Sequence, residues 1–147
     1  KDIIIRTSDR SNYSGKIDAL NGIHDEEYNK LLDNSIFGIV ARGDALFSYR
    51  LLETISRGAI PIIVSDGWIL PFDRTIPWDI CSLRFHQEAV EFIPYIINNM
   101  QEDQLLKLQE NSIHNYNLFF KDINCIMQTM LNEALSIHKA MNNPHNN

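Results

Sequence analysis

Residues Ser35–Ser65 read SIFGIVARGDALFSYRLLETISRGAIPIIVS, and the succession of patterns within them decides the fold. The stretch opens on an apolar run, SIFGIVAR, and crosses a polar turn, ARGDALFS. It then enters a helical pattern, SYRLLETISRG, and closes on a second apolar run, AIPIIVS. Each apolar run is apolar at successive positions, so each reads as a strand covered on both faces. Ser48 is placed to cap the helix, and Gly58 falls just past its end, where a left-handed residue stops a helix. Pro61 lies near the start of its strand, where a missing N–H is tolerated. Strand, helix and strand in that order are the unit of a parallel sheet.

The flanking sequence extends this unit. KDIIIRTSD holds a β-branched run, Ile3–Ile5, that reads as another buried strand, and RSNYSGKIDALNGIH reads as a loop with no secure internal structure. Asn12-Tyr13-Ser14 fits the N-glycosylation pattern, which an asparagine-rich chain also meets by chance. DEEYNKLLDN turns helical, with Tyr28, Leu31 and Leu32 on one side, Asp25 as cap, and Glu26 and Glu27 at the positive end of the dipole. ICSLRF reads as a weaker strand, and HQEAVEFIPYIINNM and EDQLLKLQENSIHNY read as helices. Ile113, Tyr116, Phe120, Ile123, Met127, Met130, Ala134, Ile137 and Met141 then form one apolar seam along a long helix. The expected fold is α/β: a Rossmann-like parallel sheet with helices on both faces and a long C-terminal helix. Residues 1–141 read as one domain, and the terminal NNPHNN (142–147) as a disordered tail.

Composition narrows the function. At 147 residues, with 44% hydrophobic and 22% charged residues, the chain is long enough for a real core. Its net charge of −6 argues against a nucleic-acid module, which normally carries a basic face. No apolar run approaches the ~20 residues of a membrane span. The chain lacks a signal-peptide shape and does not begin with Met, so it reads as a processed chain or a fragment. Cys81 and Cys125 are far apart and read as free thiols, and none of the five histidines sits at metal-ligand spacing.

The strand-to-helix crossing ARGDALFS is the place for a ligand, because open α/β sheets bind beyond the carboxyl ends of their strands. A helix N-terminus there suits an anion. Gly43 lets the backbone turn or approach a ligand closely. Arg42 and Arg50 are the residue type for bidentate phosphate contacts, and Ser48 can cap the helix or donate to a phosphate oxygen. Glu53 shares a helix face with Arg50, and can accept two ribose hydroxyls or simply pair with that arginine. The spacing is neither a P-loop nor G-x-G-x-x-G, and an ordinary cap ringed by surface ion pairs is the competing reading. SDGWILPF adds a second polar turn at the same sheet edge.

The region SIFGIVARGDALFSYRLLETISRGAIPIIVSDGWILPFDRTIPW resembles the exostosin family of glycosyltransferases. That family shows an aromatic-Cys-Leu strand, Pro-Arg-Gly, Ser-x-Arg, a Glu-Ala helix, Cys-x-Pro-Val and a Leu-Pro-Phe…Trp turn. The matching residues are Phe37, Arg42-Gly43, Ser48-x-Arg50, Glu53, Ile60-Pro61-Ile62, Asp66-Gly67-Trp68, Leu70-Pro71-Phe72 and Trp78. YNKLLDNS and HNYNLFF fit as well, so the resemblance covers roughly Asp25 to Leu131. The Gly-Trp-x-Leu-Pro-Phe form is similar to the heparan-synthesising members.

The resemblance implies half of a GT-B fold, the donor-binding half, with the acceptor domain absent. It implies an inverting transfer of a sugar, glucuronic acid in the heparan-synthesising members, from a UDP-sugar to a glycan acceptor. Arg42, Gly43, Ser48 and Arg50 would face the diphosphate and Glu53 the ribose, while Asp66 and Trp68 would line the donor pocket. No metal or other cofactor is implied, and the general base would lie outside this chain. The missing acceptor domain, or another partner, would pack on the C-terminal seam. Gly38 and Ala59 stand where the family has two cysteines expected to pair, and Ala41 stands for a proline. The family's Golgi setting is therefore weakened, with the cytoplasm as alternative. A non-catalytic exostosin-like scaffold and an unrelated Rossmann-like binding domain are the other readings.

Overall fold

The computed structural model describes residues 26–43 and 45–142. The strand at Ile3–Ile5, the loop after it, the cap at Asp25 and the last five tail residues lie outside that range. The elements run α1 (Glu26–Asp33), β1 (Phe37–Ala41), α2 (Arg50–Ser56), β2 (Ile60–Val64), β3 (Leu83–Phe85), α3 (Ile93–Asn99), α4 (Glu102–Phe119) and α5 (Ile123–Met141), with short 3-10 turns at Trp78–Ile80 and Gln87–Phe92.

The three strands form one parallel sheet in the order β1-β2-β3. Phe37 pairs with Ile60 and Ile62 with Leu83. All five residues of IPIIV are buried, as a central strand without alternation demands. Side chains still alternate between its faces. Ile63 joins Val40, Leu51 and Ile55 on the side of α2, whereas Ile62 and Val64 join Ile93 and Ile97 under α3. Helices thus cover both faces, and each fully buried isoleucine contributes about 1.5–3 kcal/mol. Pro61 sits in this central strand without loss, because β3 pairs only from Ile62 onward. Ile60 N–H already donates to Ile36 O, just before β1 (2.8 Å), so alternation turns position 61 toward the side where no neighbour has begun.

β1 departs from the expectation of apolar cover on both faces. Val40 is buried, but Ile39 on the opposite face is 56% exposed and lies outside the α3 cluster. On the covered face, Gly38 lets α2 come close: a Cβ built there would stand 2.6 Å from the Thr54 side chain. α2 ends as read, with Gly58 at φ +76° and paired N–H bonds from Gly58 to Ile55 O and from Ala59 to Thr54 O. Gln109 of α4 donates to Gly58 O at 2.7 Å, tying that end to the next layer.

The seam beginning at Ile113 does not run along one helix. α4 stops at Phe119, Phe120 leaves helical geometry, and Asp122 starts α5 by accepting the Cys125 N–H at 3.0 Å. The break shifts the helical phase. α5 turns Ile126, Thr129 and Glu133 inward, with Thr75 donating to Glu133 at 2.6 Å. Ile123, Met127, Met130 and Met141 of the seam point to solvent, together with Leu131 and Leu135. α5 is nonetheless the long C-terminal helix expected.

GWILPFDRTIPW packs as a unit. Trp68, Leu70, Ile76 and Trp78 are core residues with Phe120, and Trp78 Nε1 donates to Pro71 O at 2.9 Å.

Candidate functional site

Three connections leave the sheet at its carboxyl edge, and they carry the polar residues singled out above. The first runs from Arg42 to Tyr49. Arg42 N–H donates to Val64 O (3.4 Å), joining this connection to the end of β2, and Gly43 N–H donates to Phe47 O (3.2 Å), folding the loop back on itself. Gly43 does not use a left-handed backbone, since Gly58 and Gly67 are the described glycines with positive φ. α2 starts at Arg50, with Tyr49 as an N-cap residue that makes no side-chain capping bond. Ser48 acts one residue earlier, its Oγ accepting the Arg50 N–H at 3.3 Å. With seven residues, α2 is about two turns long and adds little through its dipole.

Arg42 and Arg50 are the cationic side chains of this connection. Arg42 is exposed and makes no ion pair among the described residues. Arg50 Nη1 holds Glu53 Oε2 at 2.8 Å, the i,i+3 pairing that its spacing allowed. An exposed pair of this kind contributes at most about 1 kcal/mol, so a ligand can displace it cheaply. Phe47 and Tyr49 meet edge to face at 5.5 Å on the outer side of the same loop.

The second connection is Ser65-Asp66-Gly67, turned sharply by Gly67 at φ +72°. A Cβ at Gly67 would lie 4.0 Å from Leu46 of the first connection, so the two turns are neighbours. The third begins at His86, after β3. Ser65, Asp66, Gly67, Arg84, Phe85 and His86 line one open cleft between the second and third connections. Asp66 Oδ1 bridges its walls, accepting from the Gln87 N–H at 3.3 Å and lying 3.0 Å from His86 Nδ1. Ser65 is buried, and its hydroxyl has no hydrogen-bond partner among the described residues.

Trp68 sits apart from this cleft. Its side chain is 5% exposed and packs in the core, while its carbonyl oxygen accepts from Arg84 Nη2 at 3.2 Å. Arg42, Gly43, Ser48, Arg50, Glu53 and Asp66 therefore share one sheet edge, with Trp68 behind it. Sequence reasoning did not single out Arg84 and His86, which line the cleft. Their signal was their position, on and just after a strand adjacent to β2. The cysteines stand elsewhere. Cys81 precedes β3, and burial pushes its thiol up, against a lowering hydrogen bond from Asn115 and a further rise from Asp79.

Comparison with known proteins gives the chain a family. The family model described as the Exostosin GT47 domain matches residues 2–100. The chain is 34% identical over 105 residues to an Exostosin-1 homolog of Caenorhabditis elegans, a match covering 71% of this chain and 28% of that protein. It is 30% identical over 105 residues to Exostosin-1b of Danio rerio and to Exostosin-1 of Mus musculus, covering 71% of this chain and 14% of each. The chain thus spans little more than a quarter of the length of the first of these relatives and about a seventh of the others. No helix among the described residues is long and apolar enough to cross a membrane, and both cysteines are free.

Proposed function

The chain belongs to the exostosin GT47 family, and on that premise we propose that it supplies the donor-nucleotide site of an inverting glycosyltransferase. The donor in this reading is a UDP-sugar, with glucuronic acid as the sugar, and the acceptor is a glycan. The chain would form the C-terminal half of a GT-B enzyme, working in the Golgi lumen. The observation that carries the reading is the placing of two arginines at the two ends of one strand-to-helix connection. An acidic chain of net charge −6 places an exposed Arg42 and the helix-borne Arg50 on one connection at the carboxyl edge of a parallel sheet.

Arg42 and Arg50 hold the diphosphate in this scheme and stabilise the charge that builds on it as the glycosidic bond breaks. Gly43 keeps the loop free of side-chain bulk beside the phosphates, and Ser48 fixes the turn through the Arg50 N–H. Glu53 exchanges its arginine partner for ribose hydroxyls when the nucleotide enters. Asp66 faces the sugar, and Trp68 supports that wall from the core. The base that deprotonates the acceptor comes from the acceptor-binding half, which packs on the outward face of α5.

Calorimetric titration of UDP and UDP-glucuronate into the 147-residue chain tests this. Wild type is expected to bind both. Arg50→Ala should weaken binding at least about tenfold, the loss typical of a charge-assisted hydrogen bond. A folded wild-type chain that takes up no UDP would overturn the reading.

A further inference from the structure

The cleft between the second and third connections contains a pairing that the donor site as drawn does not use. Asp66 Oδ1 has two partners, His86 Nδ1 at 3.0 Å and Gln87 N–H at 3.3 Å. Its other oxygen, Oδ2, has none among the described residues, although the side chain is 46% exposed. Two partners on one oxygen restrict rotation of the carboxylate and leave the second oxygen as a fixed acceptor. Arg84 lines the same cleft with one N–H spent on Trp68 O, and its remaining N–H groups have no acceptor among the described residues. Ser65 adds a buried hydroxyl without a partner.

A carboxylate acceptor beside guanidinium donors matches a ring of adjacent hydroxyls better than it matches a phosphate, which Asp66 would repel. The phosphates belong with Arg42 and Arg50 in the first connection. Resting on the donor-site reading above, we infer that His86 is a positioning residue for the sugar half of the donor. It holds Asp66 Oδ1 so that Oδ2 accepts a ring hydroxyl of the hexose or hexuronate, with Arg84 donating beside it. His86 acts through Asp66 and need not touch the sugar.

The test compares the affinities of the full chain for UDP, UDP-glucose and UDP-glucuronate, since both sugars carry the same ring hydroxyls. Asp66→Asn is expected to weaken both sugar nucleotides about tenfold, and His86→Ala, whose pair with Asp66 is exposed, about three- to fivefold, while UDP changes less than about twofold. His86→Gln keeps an N–H within reach of Asp66 and should recover most of the loss. A His86→Ala chain that loses UDP and UDP-sugars equally would show a mere staple between loops, and unchanged sugar-nucleotide affinity would be equally fatal. Wild type failing to bind UDP at all defeats the donor-site reading itself, and this inference with it.

Discussion

The ring of Phe72 stacks on that of Phe120, centroids 5.4 Å apart and planes 27° from parallel, and it does so from a left-handed backbone at φ 54°. Among the described residues Phe72 is the one non-glycine with positive φ. Its carbonyl accepts from Thr75 and Ile76, so the turn and the stack hold each other in place.

That arrangement predicts two unequal losses. Phe120→Ala removes the ring shared by Phe72 and Trp78 and should cost about 3–5 kcal/mol. Phe72→Gly should cost about 1–2 kcal/mol less than Phe72→Ala, because glycine takes this φ without strain. Chemical denaturation midpoints of the three variants check both statements. Equal losses for the glycine and alanine variants would remove strain from the account.

Close packing at Gly38 makes its own prediction. Gly38→Ala drives a methyl against Thr54 and should destabilise by about 1–3 kcal/mol. Thr54→Ala clears that space and also removes a buried hydroxyl with no partner among the described residues. The double variant should therefore be more stable than Gly38→Ala alone, a coupling that a double-mutant cycle measures. The same contact bears on the family cysteine expected at position 38. A thiol there needs the room that Thr54 occupies.

The start of α5 should respond to acid. The Cys125 N–H bonded to Asp122, first among the causes, holds that carboxyl below its ordinary value of 3.8. A lowered folded value means that the cap's contribution is fully present above the unfolded value and is lost as pH falls through the folded one. The protection factor of the Cys125 amide, its exchange measured against the intrinsic rate at the same pH, should fall in that acid range. Asp122→Asn keeps an acceptor at the cap and should abolish this pH dependence.

The outward face of α5 should be adhesive in the isolated chain. Met127, Met130, Leu131 and Leu135 are each about half exposed, and their i, i+3, i+4 and i+8 spacing puts them on one face of α5. The chain is expected to bind an apolar dye or self-associate, and Met127→Glu with Met130→Glu should suppress both with little change in melting temperature. A dye-silent monomer in the wild type would dismiss the idea that this face is normally covered.

Much of this was readable before any coordinates, for physical reasons that can be named. IPIIV has no polar residue to turn outward, so it could only be a central strand, and Gly58 is the residue type that a helix end at φ +76° requires. The carboxyl edge followed from that order of elements. What stayed hidden depends on phase and on long-range pairing. Phe120, Ile123 and Met127 keep a helical step in sequence, and nothing in the spacing reveals that Asp122 restarts the helix and rotates its faces. His86 lies 20 residues from Asp66, and only the parallel pairing of β2 with β3 brings them together. Trp68 borders a polar turn in sequence, yet its ring has a core to fill.

The role of GWILPFDRTIPW changes what a family likeness can promise. Its tryptophans, leucine and phenylalanine are committed to one another, to Phe120 and to a hydrogen bond from Trp78 to Pro71. They act as masonry. A descendant could keep every one of them and lose the nucleotide, or keep the nucleotide after replacing several with other apolar residues of similar volume. The most recognisable stretch of this chain therefore certifies its architecture, and whether it works as an enzyme rests on the less conspicuous charges at the sheet edge.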